Sequence, residues 1–397
     1  MPILRKDTPE HQIYKVLEHW QPTDEIMMVK ELTNPKKKLS ILFAYLYDLV
    51  KKEYKSFPTR KNGKNPFVHP LNIVWDLRKA KVKNEVTICA ALIHDLIEEK
   101  VDLYKRLKHL SETPDGVKKL DKYEDKLWVK FEKDLKEFSE DAQYHSSVKQ
   151  ILEVVFLLTR HKRHFYYRSI SSLFNREDDD TKEMAIQVKL ADRIHNLQSL
   201  DCFTEEDRMY QCFKTLFILN NTKAYLKKKY GQNSNPDKAV HPTEKLFKKC
   251  CKATYDAFLM IERMSLAKGI TPIESMLQLA FMKYAWERSG LDQVTSTNLK
   301  ETHPMRLYQG IIRKYDSRLH QEWSQFKQMK RLESEYCQKF FADYNFTSEQ
   351  IEALINYKDA YALKEVVALL LYDPDYVVKG FGCAGLCRRG FVCMKKK

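Results

Sequence analysis

Four side chains with the chemistry of metal ligands occur along this chain, and three of them lie in apolar segments. His94 and Asp95 are neighbours in the segment ICAALIHDLIEE, and His69 closes the loop that precedes it. Asp192 lies far downstream in the apolar segment VKLADRIHN. An imidazole or a carboxylate in such surroundings costs free energy unless it is paired or bound to a metal. Two imidazoles and two carboxylates together are typical of a site for a divalent transition ion of the Mn, Fe or Zn class.

Two glutamates follow the His-Asp pair at helical spacing. Glu98 is four residues after His94, and Glu99 is four residues after Asp95, so on a helix they share the general face of that pair. A carboxylate in this position can orient an attacking water or accept its proton. A metal ion there can lower the pKa of that water and polarise a phosphorus centre. The set therefore predicts metal-dependent phosphate hydrolysis.

Polar residues that could contact a substrate lie near the predicted ligands. Asn196 is four residues after Asp192 and shares its side of a helix, where it could hydrogen-bond a substrate or hold the site geometry. Arg60 and Lys61 precede His69 in FPTRKNGKNPFVHP, which its prolines, glycine and asparagines mark as a loop. These two residues are placed to clamp a phosphate or stack on a base.

The composition favours helices as the elements that position these residues. Hydrophobic residues make up 43% of the 397 residues, whereas only 10 residues are glycine. Apolar residues recur at helical spacing in LSILFAYLYDLVKKEY, and EVTICAALIHDLIEEK and QILEVVFLLTR have the composition of buried helices. The sequence therefore predicts an all-α protein.

The chain length and one polar segment predict two helical domains. A chain of 397 residues exceeds the usual size of a single core. The segment GQNSNPDKAVHP at 231–242 is the clearest linker. It separates a domain at 35–230, which holds every candidate residue, from a helical domain at 243–380 of unknown role. An extension at 1–34 and a tail at 381–397, rich in Cys, Gly and Lys, complete the chain.

The charge balance predicts anionic partners. The chain has 69 Lys and Arg against 54 Asp and Glu, a net charge of +15. Such an excess suits phosphates, nucleotides, nucleic acid or an acidic membrane surface. The segment RHKRHFYYR at 160–168 could bind nucleic acid, form a wall of a nucleotide pocket or be structural. We favour the last two roles, so a phosphorylated nucleotide is the expected partner and nucleic acid is the alternative.

The sequence predicts a cytoplasmic protein. No apolar stretch reaches the length of a bilayer span, and the N-terminal MPILRKDTPEHQ lacks the apolar core of a secretory signal. Most of the nine cysteines lie singly in helical contexts, such as Cys89 and Cys212, which is typical of buried, reduced thiols. No pattern in the sequence predicts the oligomeric state.

Three ordered motifs resemble those of a known superfamily. FVHP, AALIHDLIEE and VKLADRIHNL follow one another as in the HD superfamily of metal-dependent phosphohydrolases. They are similar, more specifically, to the hydrolase domain of the RelA/SpoT homologues and their small single-domain relatives. The resemblance covers about residues 35–230. It implies a compact all-helical HD bundle there, while the second helical domain lies outside the resemblance.

The resemblance also implies roles for the candidate residues. It implies a Mn²⁺ ion, with another divalent transition metal as the alternative, held by four ligands: His69, His94, Asp95 and Asp192. Glu98 and Glu99 would assist the attack of water on the substrate. Arg60 and Lys61 would contact the substrate from the loop before the first ligand. Asn196 would do so from the helix of the last ligand.

The reaction implied by the resemblance is removal of the 3′-pyrophosphate from guanosine tetra- or pentaphosphate. Full-length RelA/SpoT proteins also carry a synthetase domain after the hydrolase domain. Nothing in 243–397 resembles that domain, because the segment has no glycine-rich phosphate loop and no strand pattern. We therefore expect a guanosine-3′,5′-bis(diphosphate) 3′-pyrophosphohydrolase without synthetase activity.

Two departures from the family pattern bear on the substrate. The family usually has Glu-Asp after the His-Asp motif, whereas this chain has Glu98 and Glu99, and the extra methylene could alter the positioning of water. The interval between Asp95 and Asp192 is also expanded by a charged segment at 101–145, which could reshape the pocket.

Two alternatives therefore stay open. The first is the same chemistry on another phosphorylated nucleotide or on a nucleic-acid end. The second is a non-catalytic scaffold that binds a nucleotide or nucleic acid. The complete set of ligand residues favours an enzyme over the scaffold.

Overall fold

The regular structure of the protein is helical. The computed structural model describes residues 21–111, 113–231, 240–284, 304–378 and 380–381. No strand occurs in these ranges, so the prediction of an all-α fold is confirmed. No helix in the same ranges is both long enough and apolar enough to cross a membrane.

Some predicted segments lie largely outside the described residues. The extension at 1–34 is described only from residue 21, and the linker at 231–242 only at its two ends. The tail at 381–397 is described only at its first residue.

The candidate residues come from a first group of helices. These are α1 (Val29–Leu32), α2 (Ser40–Tyr54), α3 (Val68–Lys79), α4 (Glu85–Ile93), α5 (Leu96–Leu107), α6 (Pro114–Asp134), α7 (Lys136–Glu140), α8 (His145–Leu158), α9 (Tyr166–Phe174) and α10 (Asp179–Leu197). A short 3₁₀ turn, Leu200–Cys202, follows the last of them.

A second group of helices continues the chain. These are α11 (Glu205–Tyr230), α12 (Pro242–Ser265), α13 (Glu274–Tyr284), α14 (Ile311–Leu319), α15 (Trp323–Phe340) and α16 (Ser348–Tyr372). A π-helical turn at Leu266–Ile270 follows α12, and 3₁₀ turns occur at Thr271–Ile273, Pro304–Leu307 and Ala342–Tyr344.

Helix α10 is the central element of the first group. Its residues are buried along most of the length from Thr181 to Leu197, and it packs against α3, α4, α8 and α12. Polar capping defines where it begins, because the Asp178 side chain accepts hydrogen bonds from the backbone N–H groups of Asp180 and Thr181. A carboxylate on this helix is therefore surrounded by protein, which suits a site that excludes water.

Helix α12 joins the two groups. It packs against α10 and α11 on the side of the candidate residues, and it makes an even more extensive contact with α16. Buried apolar side chains form one continuous cluster that runs from Met27 to Phe381 through both groups. The helices on either side of 231–242 thus pack directly on each other, and their division into two domains stays a prediction.

Candidate metal centre and substrate pocket

The four predicted ligand residues converge at one point of the fold. His69 is the second residue of α3, and Asp192 lies in the C-terminal half of α10. His94 and Asp95 lie between α4 and α5. One potential ligand atom from each residue lies within 4.8 Å of all the others.

A break in the helical path aims His94 and Asp95 at the same centre. The apolar pattern of ICAALIHDLIEE predicts one helix, but α4 ends at Ile93 and α5 begins at Leu96. Neighbouring side chains on an unbroken helix point about 100° apart. The break instead leaves His94 Nε2 and Asp95 Oδ1 only 3.1 Å apart.

The centre is buried and its polar atoms fit a metal ion. His69, His94 and Asp192 are at most 3% exposed, and Asp95 is partly exposed. His69 Nε2 lies 3.2 Å from Asp95 Oδ2 and 3.5 Å from Asp192 Oδ1. His94 Nε2 is buried and has no hydrogen-bond partner within the described residues. An imidazole nitrogen left in this way beside two carboxylates is satisfied by a divalent cation.

Hydrogen bonds behind the two imidazoles orient them toward the centre. His94 Nδ1 lies 2.8 Å from the carbonyl oxygen of Ala91, so Nδ1 donates and the Nε2 lone pair faces the centre. His69 Nδ1 lies 2.9 Å from His195 Nδ1. Burial and the nearby His69 lower the pKa of His195, so its ring is neutral. His195 Nδ1 can therefore accept a hydrogen bond from the Nδ1–H of His69. Sequence analysis assigned His195 no role, although it is one turn from Asp192.

A buried lysine balances the last ligand. Lys189 Nζ lies 3.0 Å from Asp192 Oδ2, and the opposite oxygen of that carboxylate faces His69. Burial alone would raise the pKa of Asp192, but Lys189 and His69 outweigh burial and hold it well below its usual value. Asp192 is therefore an anionic ligand. Sequence analysis missed Lys189, whose only signal was its position three residues before Asp192.

The two glutamates after the His-Asp pair face different surroundings. Glu98 is held by Arg160, whose Nε lies 3.0 Å from Oε1 and whose backbone N–H donates to Oε2 over 3.2 Å. Glu99 instead lines the pocket beside His69. Burial, followed by the negative charges of Asp95 and Glu98, raises the pKa of Glu99 to about 7. A carboxylate with such a pKa can exchange a proton near neutral pH.

The centre opens into a pocket of about 250 Å³. Its walls are formed by Tyr54, Pro58, Thr59, Arg60, Lys61, Asn62, Pro66, His69, Glu99, Arg106, Ser199, Cys202 and Phe203. The residues predicted to contact a substrate from the loop before α3 therefore line this pocket. Of the described residues in the charged segment at 101–145, Arg106 alone lines the pocket.

Asn196 connects the pocket loop to the metal centre. Arg60 Nη2 donates to Asn196 Oδ1 over 3.0 Å, and Asn196 Nδ2 donates to Asp192 Oδ1 over 2.5 Å. Lys61 extends over the ring of Phe203, with its Nζ 4.3 Å from the ring centroid. Arg60 is thus held in place, whereas Lys61 is exposed at the rim.

The basic segment at 160–168 lies beside Glu98. Besides its contact with Glu98, the Arg160 guanidinium lies 3.6 Å from Asp102, and Lys162 forms a 2.5 Å ion pair with the same carboxylate. Arg163 lies 3.3 Å from Asp121. Much of the positive charge of this segment is therefore paired within the protein.

A second pocket of about 240 Å³ lies away from the metal centre, between the C-terminal ends of α11 and α16 and the start of α12. Lysines and aromatic rings line it, including Lys223, Lys227 and Tyr230. It contains none of the candidate residues.

Comparison with known proteins gives a distant relationship. The chain is 29% identical over 175 residues to the bifunctional (p)ppGpp synthase/hydrolase SpoT of Escherichia coli strain K12. It has the same identity over the same length to guanosine-3′,5′-bis(diphosphate) 3′-pyrophosphohydrolases of Escherichia coli O157:H7 and Shigella flexneri. The matched region covers 43% of this chain but 20% of each relative, so the chain spans about a fifth of their length.

No family model and no solved structure matches the chain. The three matches support a relationship to RelA/SpoT-like hydrolases.

Proposed function

We propose that this protein is a metal-dependent phosphohydrolase that removes the 3′-pyrophosphate of guanosine-3′,5′-bis(diphosphate) and has no synthetase activity. The observation that carries the proposal is the buried ligand cluster, in which His94 Nε2 has no hydrogen-bond partner within the described residues. The similarity to proteins named for this reaction supports the choice of substrate.

The ligand cluster suits a divalent transition ion, for which we propose Mn²⁺, with another such ion as the alternative. Its two imidazole nitrogens and two carboxylate oxygens form the mixed set that borderline transition ions accept. When bound, the ion would supply Lewis-acid activation of water and of a phosphate oxygen. His69, His94, Asp95 and Asp192 would hold it.

The protein's own residues divide the remaining work. Glu99 accepts the proton of the attacking water, because its carboxylate faces the pocket and its pKa of about 7 is near neutrality. Arg60, held by Asn196, binds a phosphate group with its guanidinium. Lys61, which is exposed, adds a second cation at the rim. Glu98 stays bound to Arg160 and fixes the start of α5 against the 160–168 segment.

We also propose that the protein acts in the cytoplasm. The described cysteines are all free thiols: Cys89, Cys202, Cys212, Cys250, Cys251 and Cys337. Burial raises the pKa of those that are fully enclosed, which keeps them as unreactive thiols. Such cysteines suit a reducing compartment.

The decisive experiment measures phosphate and pyrophosphate release from a nucleotide panel with added Mn²⁺. The panel contains guanosine tetraphosphate, NADPH, deoxynucleoside triphosphates and cyclic nucleotides. We expect pyrophosphate from guanosine tetraphosphate, and we expect chelation of the metal to abolish its release. Asp95→Ala should lose both metal binding and turnover, while His145→Ala, a change at the start of α8, should keep both.

Each other outcome has a distinct meaning. Release only from another member of the panel would keep the metal mechanism and replace the substrate. Release that survives removal of the metal would overturn the mechanism. Metal binding without release from any member would favour the non-catalytic scaffold.

A further inference from the structure

Lys214 is a half-buried lysine with no anionic partner. It lies on α11, and its Nζ is 5.0 Å from the ring centroid of Tyr166 and 4.9 Å from that of Tyr210. The contacts of its ammonium within the described residues are with these two rings, and no ion pair or hydrogen bond joins it to a described residue. Two tyrosine rings thus hold the cation in place without neutralising it.

Two more deeply buried lysines of this protein have carboxylate partners. Lys249 Nζ lies 3.1 Å from Asp76, and Lys364 Nζ lies 2.8 Å from Glu262. A buried ammonium is ordinarily paired in this way because its desolvation is costly. Lys214 differs from these two lysines in having no carboxylate partner.

The charged groups nearest to Lys214 are mainly cations. Burial, followed by repulsion from Arg193, Arg160 and Lys189, lowers the pKa of Lys214 well below its usual value. Arg193 itself donates only to neutral acceptors, to Thr215 Oγ1 over 3.0 Å and to the side chain and backbone of Gln211.

The nearby carboxylates do not relieve this repulsion. Asp192 is paired with Lys189, and Glu98 is paired with Arg160. The cluster around Lys214 therefore has an excess of positive charge that an anion would neutralise.

A second donor without a partner lies in the same cluster. The hydroxyl of Tyr166, at the start of α9, is buried and has no hydrogen-bond partner within the described residues. Buried hydroxyls are normally satisfied, so an unpaired one beside an unpaired ammonium indicates a ligand that accepts hydrogen bonds.

The cluster adjoins the metal centre on the side opposite to Arg60. Lys189 is one turn before Asp192 on α10, and Asn196, which binds Arg60, is one turn after it. These two flanking positions are seven residues apart, which corresponds to about 10 Å along the helix axis. The metal centre therefore has basic groups on both flanks, and only one flank lines the pocket.

We propose that Lys214 and the Tyr166 hydroxyl, with Lys189 and Arg160 beside them, form a second anion subsite that binds a phosphate or diphosphate group of the substrate. The placement of a substrate there rests on the proposed function. A nucleotide that carries phosphates at both ends of its ribose has two anionic groups for two basic flanks. An anion bound there would favour the protonated form of Lys214, which then supplies a positive charge, and the tyrosine hydroxyl supplies a directed hydrogen bond.

The test measures binding of inorganic pyrophosphate to the full-length, Mn²⁺-loaded protein by calorimetry. Mn²⁺ is kept in excess so that every variant meets the same metal–pyrophosphate complex. We expect Lys214→Gln to weaken binding by about 10- to 100-fold, because it removes a charged donor. Tyr166→Phe, which removes only one hydroxyl, should weaken it by a smaller factor, and Lys214→Arg should retain most of the affinity.

The matched control is Lys228→Gln, which removes the same charge from an exposed position on α11. It should bind pyrophosphate within about twofold of the unmodified protein, since only distant, screened electrostatics change. Equal affinity of Lys214→Gln and Lys228→Gln would overturn the subsite, as would a lack of pyrophosphate binding by the unmodified protein.

The subsite and the proposed function can fail separately. Lys214-dependent pyrophosphate binding without turnover of guanosine tetraphosphate would keep the subsite and reject the function. Turnover of guanosine tetraphosphate with the same KM in Lys214→Gln, and with no loss of pyrophosphate affinity, would keep the function and reject the subsite.

Discussion

Glu99 carries a carboxylate that can change its protonation state near neutral pH. Burial raises its pKa most, Asp95 and Glu98 raise it further, and Arg60 opposes them, with a result of about 7. A general base must be ionised to accept a proton. Turnover should therefore be low below that pKa and rise as the pH increases through it. A bound divalent cation would shift this rise to lower pH, because positive charge favours the carboxylate.

The prediction concerns Glu99→Gln and Glu99→Asp. Glu99→Gln should lower kcat by roughly 100-fold or more and remove the rise of kcat/KM with pH, because the amide cannot accept the proton. Glu99→Asp, which introduces the residue usual in the similar family, should keep the rise. The measurement is kcat/KM as a function of pH, with Glu140→Gln on α7 as an exposed control. A rise that persists unchanged in Glu99→Gln would assign it to another group.

At the residue scale, the sequence was most informative about the ligand residues themselves. His94, Asp95 and Asp192 were recognisable because polar groups in apolar segments are costly, and His69 because it completes the ordered motifs of the resemblance; the structure places all four together. The supporting residues were not recognisable in this way. Lysine and histidine are common on helices, and their contacts with ligand residues become evident only once α10 is known to be buried on nearly all sides.

At the scale of elements, the path of α4 and α5 differs from the sequence prediction. The continuous apolar pattern of EVTICAALIHDLIEEK predicts one helix, but the helix ends at Ile93 and a new helix begins at Leu96. Periodicity could not reveal this break, because a break of two residues leaves most apolar positions buried. Beyond the break, Glu98 contacts Arg160 while Glu99 faces the pocket, because neighbouring side chains on α5 point about 100° apart.

The start of α4 offers a prediction about stability. The Asn84 side chain accepts hydrogen bonds from the backbone N–H groups of Val86, over 2.8 Å, and Thr87, over 3.3 Å. Asn84→Ala leaves these groups without that partner, so the free energy of unfolding should fall by about 1 kcal/mol. Urea unfolding measures the change. Asn84→Asp retains an acceptor at the cap and should unfold close to the unmodified protein.

The cap is remote from the ligand atoms, so the effect should be confined to stability. Mn²⁺ affinity, measured under conditions where both proteins are folded, should be the same for Asn84→Ala and the unmodified protein. A large loss of affinity would show instead that the position of His94 depends on the start of α4.

At the scale of the whole molecule, a buried ionic network ties α14 and α15 to α16. Asp359 is completely buried and lies between the ammonium groups of Lys314 and Lys358. Tyr315 donates to Asp359 Oδ2 over 2.8 Å, and Glu333 pairs with both lysines. Burial alone would raise the pKa of Asp359, but the two lysines outweigh it and hold the pKa below its usual value.

Asp359→Asn should destabilise the protein strongly. It removes one of the two carboxylates that balance two buried ammonium groups, and breaking such a network costs roughly 3–5 kcal/mol. The pKa of Asp359 is lower in the folded protein than in the unfolded chain. Asp359 therefore contributes to the free energy of unfolding above its unfolded-state pKa, and this contribution is lost as the pH falls through its folded-state pKa. Urea unfolding should therefore show a large difference in the free energy of unfolding between Asp359→Asn and the unmodified protein at neutral pH. This difference should become smaller at acidic pH. Asp343→Asn, an exposed change, should unfold like the unmodified protein at both pH values.

The C-terminal helices also reach the edge of the substrate pocket. Arg318 on α14 donates to Asp207 Oδ1 over 2.9 Å and to the carbonyl oxygen of Glu206 over 3.0 Å. The other carboxylate oxygen of Asp207 lies 3.9 Å from Nζ of Lys61, which lines the pocket. Lys330 and Asn356 hold the neighbouring acids of α11. Residues outside the region of resemblance thus contact the carboxylate that pairs with Lys61, the lysine that we propose binds the substrate.

We predict that Arg318→Ala raises KM while leaving kcat and Mn²⁺ affinity nearly unchanged. With Arg318 present, Asp207 shares its charge between two cations and holds Lys61 loosely. Without Arg318, the Lys61–Asp207 pair tightens and must open before Lys61 can bind a phosphate. An ion pair in this partly exposed setting is worth about 0.2–1 kcal/mol, so KM should rise by a factor of about 1.4 to 5.

A double substitution distinguishes the competition of Arg318 and Lys61 for Asp207 from a general loss of structure. Asp207→Asn in the Arg318→Ala protein removes the carboxylate that restrains Lys61, so it should bring KM back toward the value of the unmodified protein. Arg331→Ala, an exposed arginine on α15 paired with Glu335, is the matched control and should leave KM unchanged. If the effects of Asp207→Asn and Arg318→Ala simply add, the C-terminal helices do not act on Lys61 through Asp207.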